Sequence, residues 1–476
     1  MTKQFLLLGL AVIAHAQPFD IAIQGARVID PESGLDAVRH VGIRAGKVAA
    51  VSTAPLAGRR NIDARGLILA PGFIDLHWHG QDPASDRYEI LDGVTSSLEL
   101  EVGTADVDAW YRKRVGKSLI HHGVAAGHPP VRMEVLGDSG DFLPADKGAF
   151  DTASPEQIAR MKMRLEQEIK KGAVGVGFGV QYTPGASHWE IIEMFRLAAR
   201  HGLACHVHVR ASSSSIGEDV RIRALSEAIA AAAVTGASLH VVHINSLSLG
   251  SIDKTLAMIE GARARGLDVT TEAYPYTAGA TRIESASYNG WEDRPDEEFA
   301  KLQWIKTGER LTRESFFRFR KERGLVIYHA NTEAGVRSAV VHPLSMIASD
   351  GFDITANGHP RSAGTFAKIL RQYVREEKVL TWPQAIAKMT LQPARRLEKR
   401  VPAMKNKGRV RVGADADLVI FDPAQIADRA TFEAPMQASE GVRYVLVNGA
   451  VTVSQGKIVD GVFPGAALRG KVELPQ

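Results

Sequence analysis

From about Gly72 to Pro402 the chain repeats one texture: a short apolar run that reads as a strand, then a longer amphipathic stretch that reads as a helix. GAVGVGFGV is followed by EIIEMFRLAARHG, LACHVHVR by ALSEAIAAAAVTG, and SLHVVHINS opens the next unit. Two parallel strands need a helix-sized crossover between them, so strands that alternate with helices in this way lie parallel. Repeated over such a length, the units close on themselves. The expected fold is α/β, a (β/α)8 TIM-like barrel.

Both chain ends read differently. DIAIQGARVID, HVGIRAGKVAAVS and NIDARGLILAPG at the start, and DADLVIFDP and VRYVLVNGAVTVSQGKIVDG near the end, are short alternating strands broken by Gly and Asp turns. They predict a small β-sandwich formed by both ends: residues 17–70 and 408–476 around a barrel of residues 71–407. A charged stretch near 285–323 breaks the barrel rhythm and reads as an insertion over its mouth. The first sixteen residues, MTKQFLLLGLAVIAHA, have a basic start at Lys3, an apolar run from Phe5 to Ile13 and a small-x-small site at Ala14-His15-Ala16. That is the pattern of an export signal peptide cleaved after Ala16, which places the mature protein in the periplasm. The apolar run is too short for a bilayer-spanning helix, and no other segment resembles a membrane span.

Composition narrows the chemistry. With 58 basic and 54 acidic residues the net charge is +4, too small over 476 residues to argue for a nucleic-acid partner. The single cysteine, Cys205, excludes an internal disulfide and any thiolate cluster. Metal chemistry would have to draw on imidazoles, of which there are 16, and on carboxylates.

Five runs carry candidates for it. In GFIDLHWHG, strand alternation puts Asp75, His77 and His79 on one face, and the C-terminal end of a first barrel strand would bring the two imidazoles to the active-site rim. In GVTSSLELEVG, Glu99 and Glu101 share a face. Two inward carboxylates on a buried strand are costly unless paired or metal-bound, which favours a metal. In LACHVHVR, His206, His208 and Arg210 share a face, and Cys205 on the other is a core residue. In LHVVHIN, His240 and His243 have opposite parity, so only one is expected to face the interior; His243, nearer the strand end, is the choice, and His240 reads as structural. SMIASDG ends an apolar strand in Asp350.

In that order these runs resemble the amidohydrolase superfamily, and within it the D-aminoacylase branch of N-acyl-D-amino-acid deacylases. PGFIDLHWHG, GVTSSLELEVG, HVHVRAS, EAYPYTAGAT, MIASDG, HPRSAGTFAKIL and the closing GADADLVIFDP carry the likeness. It implies that His77 and His79 bind the more buried metal, His208 and His243 the other, and that Asp350 is both a metal ligand and the catalytic acid/base. One position departs from the pattern. The branch usually has a cysteine ligand after the second strand, where this chain has Val102; Glu101 is the inward substitute that would bridge two metals, with Glu99 the alternative. The resemblance also makes Tyr182, Arg210, Tyr274, Tyr276, Arg282, His359 and Arg361 candidates for polarising a carbonyl or gripping a substrate carboxylate.

The expected activity is metal-dependent hydrolysis of an amide C–N bond, in an N-acyl amino acid of the D series. One or two Zn²⁺ ions suit the His and carboxylate donors and would lower a bound water's pKa from 15.7 to about 7. The expected partner is a small molecule with a carboxylate. A dipeptidase or cyclic-amide hydrolase of the same fold is the alternative, and a barrel that only binds its ligand a more distant one.

Overall fold

A computed structural model describes residues 18–80, 83–210, 217–352 and 357–472. Its centre is a parallel sheet of eight strands: β1 (Phe73–Asp75), β2 (Val94–Thr104), β3 (His121–Gly127), β4 (Val176–Gly179), β5 (Ala204–His208), β6 (Ser238–Val241), β7 (Val269–Ala273) and β8 (Ser345–Ile347). They hydrogen-bond in sequence order from β1 to β8, as helical crossovers between successive parallel strands require. Past the strand ends the ring is drawn shut by Trp78–His79, which pairs in parallel with Gly351–Phe352. Ser349 completes the seam, its backbone N–H donating to Asp75 Oδ1 and its hydroxyl to the His77 carbonyl.

The helices bury one apolar face against the strands. Helix Pro155–Lys170 buries Ile158, Met161, Leu165 and Ile169, a spacing of three and four that keeps them on one side. Its start is fixed by a capping box, Ser154 accepting from Gln157 N–H and Gln157 returning the bond. Cys205 is fully buried in the layer between strands and helices. Among the described residues no helix is long and apolar enough to cross a membrane. The leader read from residues 1–16 lies outside the described residues.

The two chain ends form the flanking β domain as one continuous nine-stranded sheet. Its seam is the antiparallel pairing of Ile68–Pro71 with Leu418–Phe421, and Ile21, Ile43, Leu69, Leu418, Ile420 and Leu446 share its core. The insertion differs from the expected 285–323. It begins at Gly279 and runs to Tyr328, held by a three-stranded antiparallel sheet of Gly279–Arg282, Leu325–Tyr328 and Leu302–Trp304. The charges that marked it in sequence lie around an aromatic core of its own, in which the rings of Trp291, Phe299 and Phe316 pack with centroids within 5.6 Å of one another.

Candidate metal centre

Each strand end contributes in turn. After β1 the chain bends at Leu76, so the expected single face breaks: Asp75 turns away and accepts the His77 N–H, while His77 and His79 turn inward. Glu99 and Glu101 project from β2, and β5 ends in His208. His243 and Asp350 lie just beyond β6 and β8 in left-handed backbone, with φ of 34° and 53°. For side chains branching from a normal Cβ that conformation costs on the order of 1–3 kcal/mol, and such outliers gather at functional sites.

Six side chains converge. Around His77 Nε2 lie His79 Nε2 at 3.1 Å, Glu101 Oε2 at 2.7 Å and Asp350 Oδ1 at 3.4 Å, with Asp350 Oδ1 also 3.3 Å from His79 Nε2. Glu101 Oε1 sits 3.0 Å from His208 Nδ1, its Oε2 3.3 Å from His243 Nε2, and the two imidazole nitrogens are 3.1 Å apart. Two groups of possible ligands result, His77–His79–Glu101–Asp350 and Glu101–His208–His243, with Glu101 common to both.

The donor chemistry calls for a cation. His77 Nδ1 faces Glu272 Oε1 at 2.5 Å and His79 Nδ1 faces Glu99 Oε2 at 2.7 Å. A carboxylate only accepts, so both Nδ1 atoms carry the proton and both Nε2 atoms present lone pairs to two carboxylate oxygens. Four electron-pair donors without a shared proton repel unless positive charge sits among them. The same demand raises the imidazoles: burial opposes it, but Glu99 and Asp350 push His79 up to about 10. A divalent ion fits this set, and its imidazole and carboxylate donors need no thiolate.

Glu99 does not share the central position. Its Oε1 accepts the N–H groups of Val102 and Gly103, and its other oxygen holds His79. Gly103 makes this possible: it has φ of +70°, and a Cβ there would stand 2.6 Å from the Ala125 carbonyl. Glu272, at the inner end of β7, was not singled out in the sequence; one acid in VTTEA is a faint signal. The parity argument for His240 and His243 also needs correction. Both reach the interior, because His243 lies past the strand end where alternation no longer applies. His240 occupies a deeper level, bonded to Glu272 Oε2 at 2.9 Å and Thr270 Oγ1 at 2.7 Å. His206, also fully buried, packs against it with ring centroids 5.0 Å apart.

A cleft opens over the centre, lined among others by Phe142, Tyr182, Tyr288, Tyr328, Arg282 and Arg361. Tyr182 packs against His208, ring centroids 4.9 Å apart, and its hydroxyl accepts from Thr281. Arg361 is fully buried, 2.8 Å from Asp350 Oδ2, its guanidinium over the Tyr274 ring. It holds Asp350 at about 2 although burial pushes the other way. Arg282 is one-third exposed at the mouth, with Glu284 at 3.5 Å and Asp141 at 3.7 Å. Four candidates stand outside the cleft, the first of them Tyr274, buried under the Arg361 guanidinium. Arg210 is spent on Glu227 and the carbonyls of Pro184 and Ala186, beyond the end of β5 where the inward face stops. His359 donates to the Ala278 carbonyl and accepts the Arg361 N–H, so it shapes the turn that carries Arg361. The Tyr276 hydroxyl is tied to the Pro360 carbonyl.

The chain's likeness to known proteins agrees with this geometry. The amidohydrolase family model matches residues 134–453. An N-acyl-D-glutamate deacylase of Alcaligenes xylosoxydans xylosoxydans is 30% identical, over 95% of this chain and 97% of its own. A D-aminoacylase of the same organism is 28% identical, over 96% and 98%. The crystal structure of N-acyl-D-glutamate deacylase from Bordetella bronchiseptica, complexed with zinc and a phosphonate mimic of the tetrahedral intermediate, superposes with a TM-score of 0.81 at 27% identity, covering 95% of this chain and all of that one.

Proposed function

The chain belongs to the amidohydrolase family, a metal-dependent hydrolase of carbon–nitrogen bonds, and on that premise we propose that it deacylates N-acyl amino acids of the D series. The observation that carries the reading is the convergence of His77, His79, Glu101, His208, His243 and Asp350 under a cleft walled by Arg361 and Arg282. The activities of those relatives supply the substrate class and its stereochemistry.

The four histidines, Glu101 and Asp350 would hold one or two zinc ions, Glu101 being common to both groups of ligands. When bound, the metal supplies Lewis acidity and makes water acidic enough to attack near neutrality. The chain's own residues do the rest. Asp350 takes the proton from the attacking water and returns it to the leaving nitrogen, for which Oδ1, the oxygen beside the imidazoles, must be reachable from the cleft. Arg361 fixes that orientation through the other oxygen. Arg282, at the mouth with only long contacts to acids, offers its planar fork to the substrate carboxylate. Tyr182 and Tyr288 close the wall and exclude water around the scissile group.

Assay of the purified protein against N-acetyl D- and L-amino acids, with and without chelator, tests the proposal. Chelator-sensitive release of free D-amino acids is expected. Activity confined to dipeptides or cyclic amides would transfer the reading to those substrates. The proposal includes export to the periplasm, supported by Lys3, the run Phe5–Ile13 and Ala14-His15-Ala16. Protein recovered from its native host should begin at Gln17, and retention of Met1 would refute export.

A further inference from the structure

The hydrogen bond from His77 to Glu272 is the upper end of a longer column. His77 Nδ1–H donates to Glu272 Oε1 (2.5 Å), His240 Nε2–H donates to Glu272 Oε2 (2.9 Å), and the Thr270 hydroxyl donates to His240 Nδ1 (2.7 Å). Each link fixes the next. Glu272 accepts two N–H groups, so His240 holds its proton on Nε2 and must accept at Nδ1, which the Thr270 hydroxyl satisfies by donating. His77, Glu272 and His240 are buried, whereas Thr270 is half-buried and lines a second cleft with Arg263, Arg395, Arg396 and Lys399. Thr270 is the second residue of β7 and Asp350 follows the end of β8, so the column starts at the opposite end of the barrel from the substrate cleft.

We propose that Glu272, His240 and Thr270 are positioning residues of the metal centre, fixing the tautomer and orientation of His77 from the far end of the barrel. The proposal rests on the reading of His77 as a ligand. A carboxylate behind a metal-binding imidazole raises its basicity and aims its lone pair, and loss of such a partner typically lowers metal affinity about 10- to 100-fold. His208 and His243 lack this support: His208 Nε2 and His243 Nδ1 have no hydrogen-bond partner among the described residues. The effect should therefore fall on the ion held by His77 and His79.

Glu272→Gln keeps shape but removes the charge and leaves a single acceptor oxygen where His77 and His240 both donate, so the column loses the charge behind His77 and its fixed order of donors and acceptors. Thr270→Val is nearly isosteric, sits far from the cleft and removes only the last hydrogen bond. Zn²⁺ affinity is measured by competition with a chromophoric chelator, alongside the visible spectrum of the Co²⁺-loaded protein and the melting temperature of the metal-free form. For Glu272→Gln the expected result is a roughly 10- to 100-fold loss in affinity of one ion. For Thr270→Val, with one hydrogen bond lost, it is about two- to tenfold. Both should show an altered Co²⁺ spectrum, an unchanged KM, and activity recovered in excess metal. Unchanged affinity and spectrum in both variants would overturn the column's role while leaving the metal centre standing. A wild-type protein that binds no metal would overturn both readings, and activity lost without rescue by metal would mark the column as merely structural.

Discussion

At the scale of single residues, Glu101 decides what the centre can hold. Its two oxygens reach both groups of imidazoles, 2.7 Å from His77 and 3.0 Å from His208. Burial pushes the proton affinity of this carboxylate up, and the imidazoles of His208 and His77 beside it outweigh that push and hold it well below the usual carboxylate range. Glu101→Gln preserves volume but removes the charge shared by the two groups. We expect the second metal equivalent to be lost and turnover to fall by on the order of 10²-fold or more, with the fold intact. Glu99→Gln should behave differently. An amide keeps one acceptor for the Val102 and Gly103 N–H groups, and the loss falls on the orientation of His79. Metal stoichiometry by elemental analysis separates them: two equivalents retained in Glu101→Gln, with one lost in Glu99→Gln, would exchange their roles.

Among the elements, the 279–328 insertion couples the barrel to its substrate. Tyr288 and Tyr328 face the cleft and also belong to the insertion's aromatic core, packed on Trp291 at 5.1 and 5.8 Å. Trp291 is buried, so Trp291→Ala should cost about 3–5 kcal/mol within the insertion. None of the six converging side chains lies in it, so metal content should hold while KM rises; a parallel loss of metal would show that the insertion also supports the centre. The insertion illustrates what sequence conceals. Its aromatics are spread irregularly among charges, so no helical or strand period reveals a core, and its first strand, GATR, carries only four residues. The strands themselves were legible because buried parallel strands are apolar runs flanked by glycine, and the histidines, Glu101 and Asp350 stand out because they end such runs. Glu272 did not, since its partner His77 lies 195 residues away and nothing local distinguishes a paired acid from an exposed one. His243 misled the parity rule because the chain leaves the strand before reaching it.

For the molecule as a whole, the question is how a domain built from both chain ends is fixed to the barrel. A buried ionic knot does part of it. Asp417, just before the seam strand Leu418–Phe421, accepts from His121 Nε2 on β3 at 3.0 Å, from Lys407 Nζ at 2.5 Å and from the Asn448 N–H at 2.7 Å. His121 Nδ1 in turn accepts the Ala466 N–H, which leaves the ring proton on the Asp417 side. The knot therefore ties β3 to the C-terminal segments on either side of the sheet. Burial would raise the Asp417 carboxyl, yet His121 and Lys407 outweigh it and hold it far below the usual carboxylate range. Removing the charge strands Lys407 in a buried site with Asp415 at 3.0 Å as its remaining acid. Asp417→Asn should accordingly destabilise the protein by about 3–5 kcal/mol at neutral pH. The sign of the pH effect follows from linkage. A carboxyl depressed by folding contributes stability that is complete above its unfolded value of about 3.9 and shrinks as the pH falls below it toward the folded value. The gap between wild type and Asp417→Asn should thus be full at pH 7 and narrow progressively below about pH 4. Urea midpoints at both pH values read it directly, and a gap that stays constant on acidification would mean that the variant loses packing and not the ionic knot.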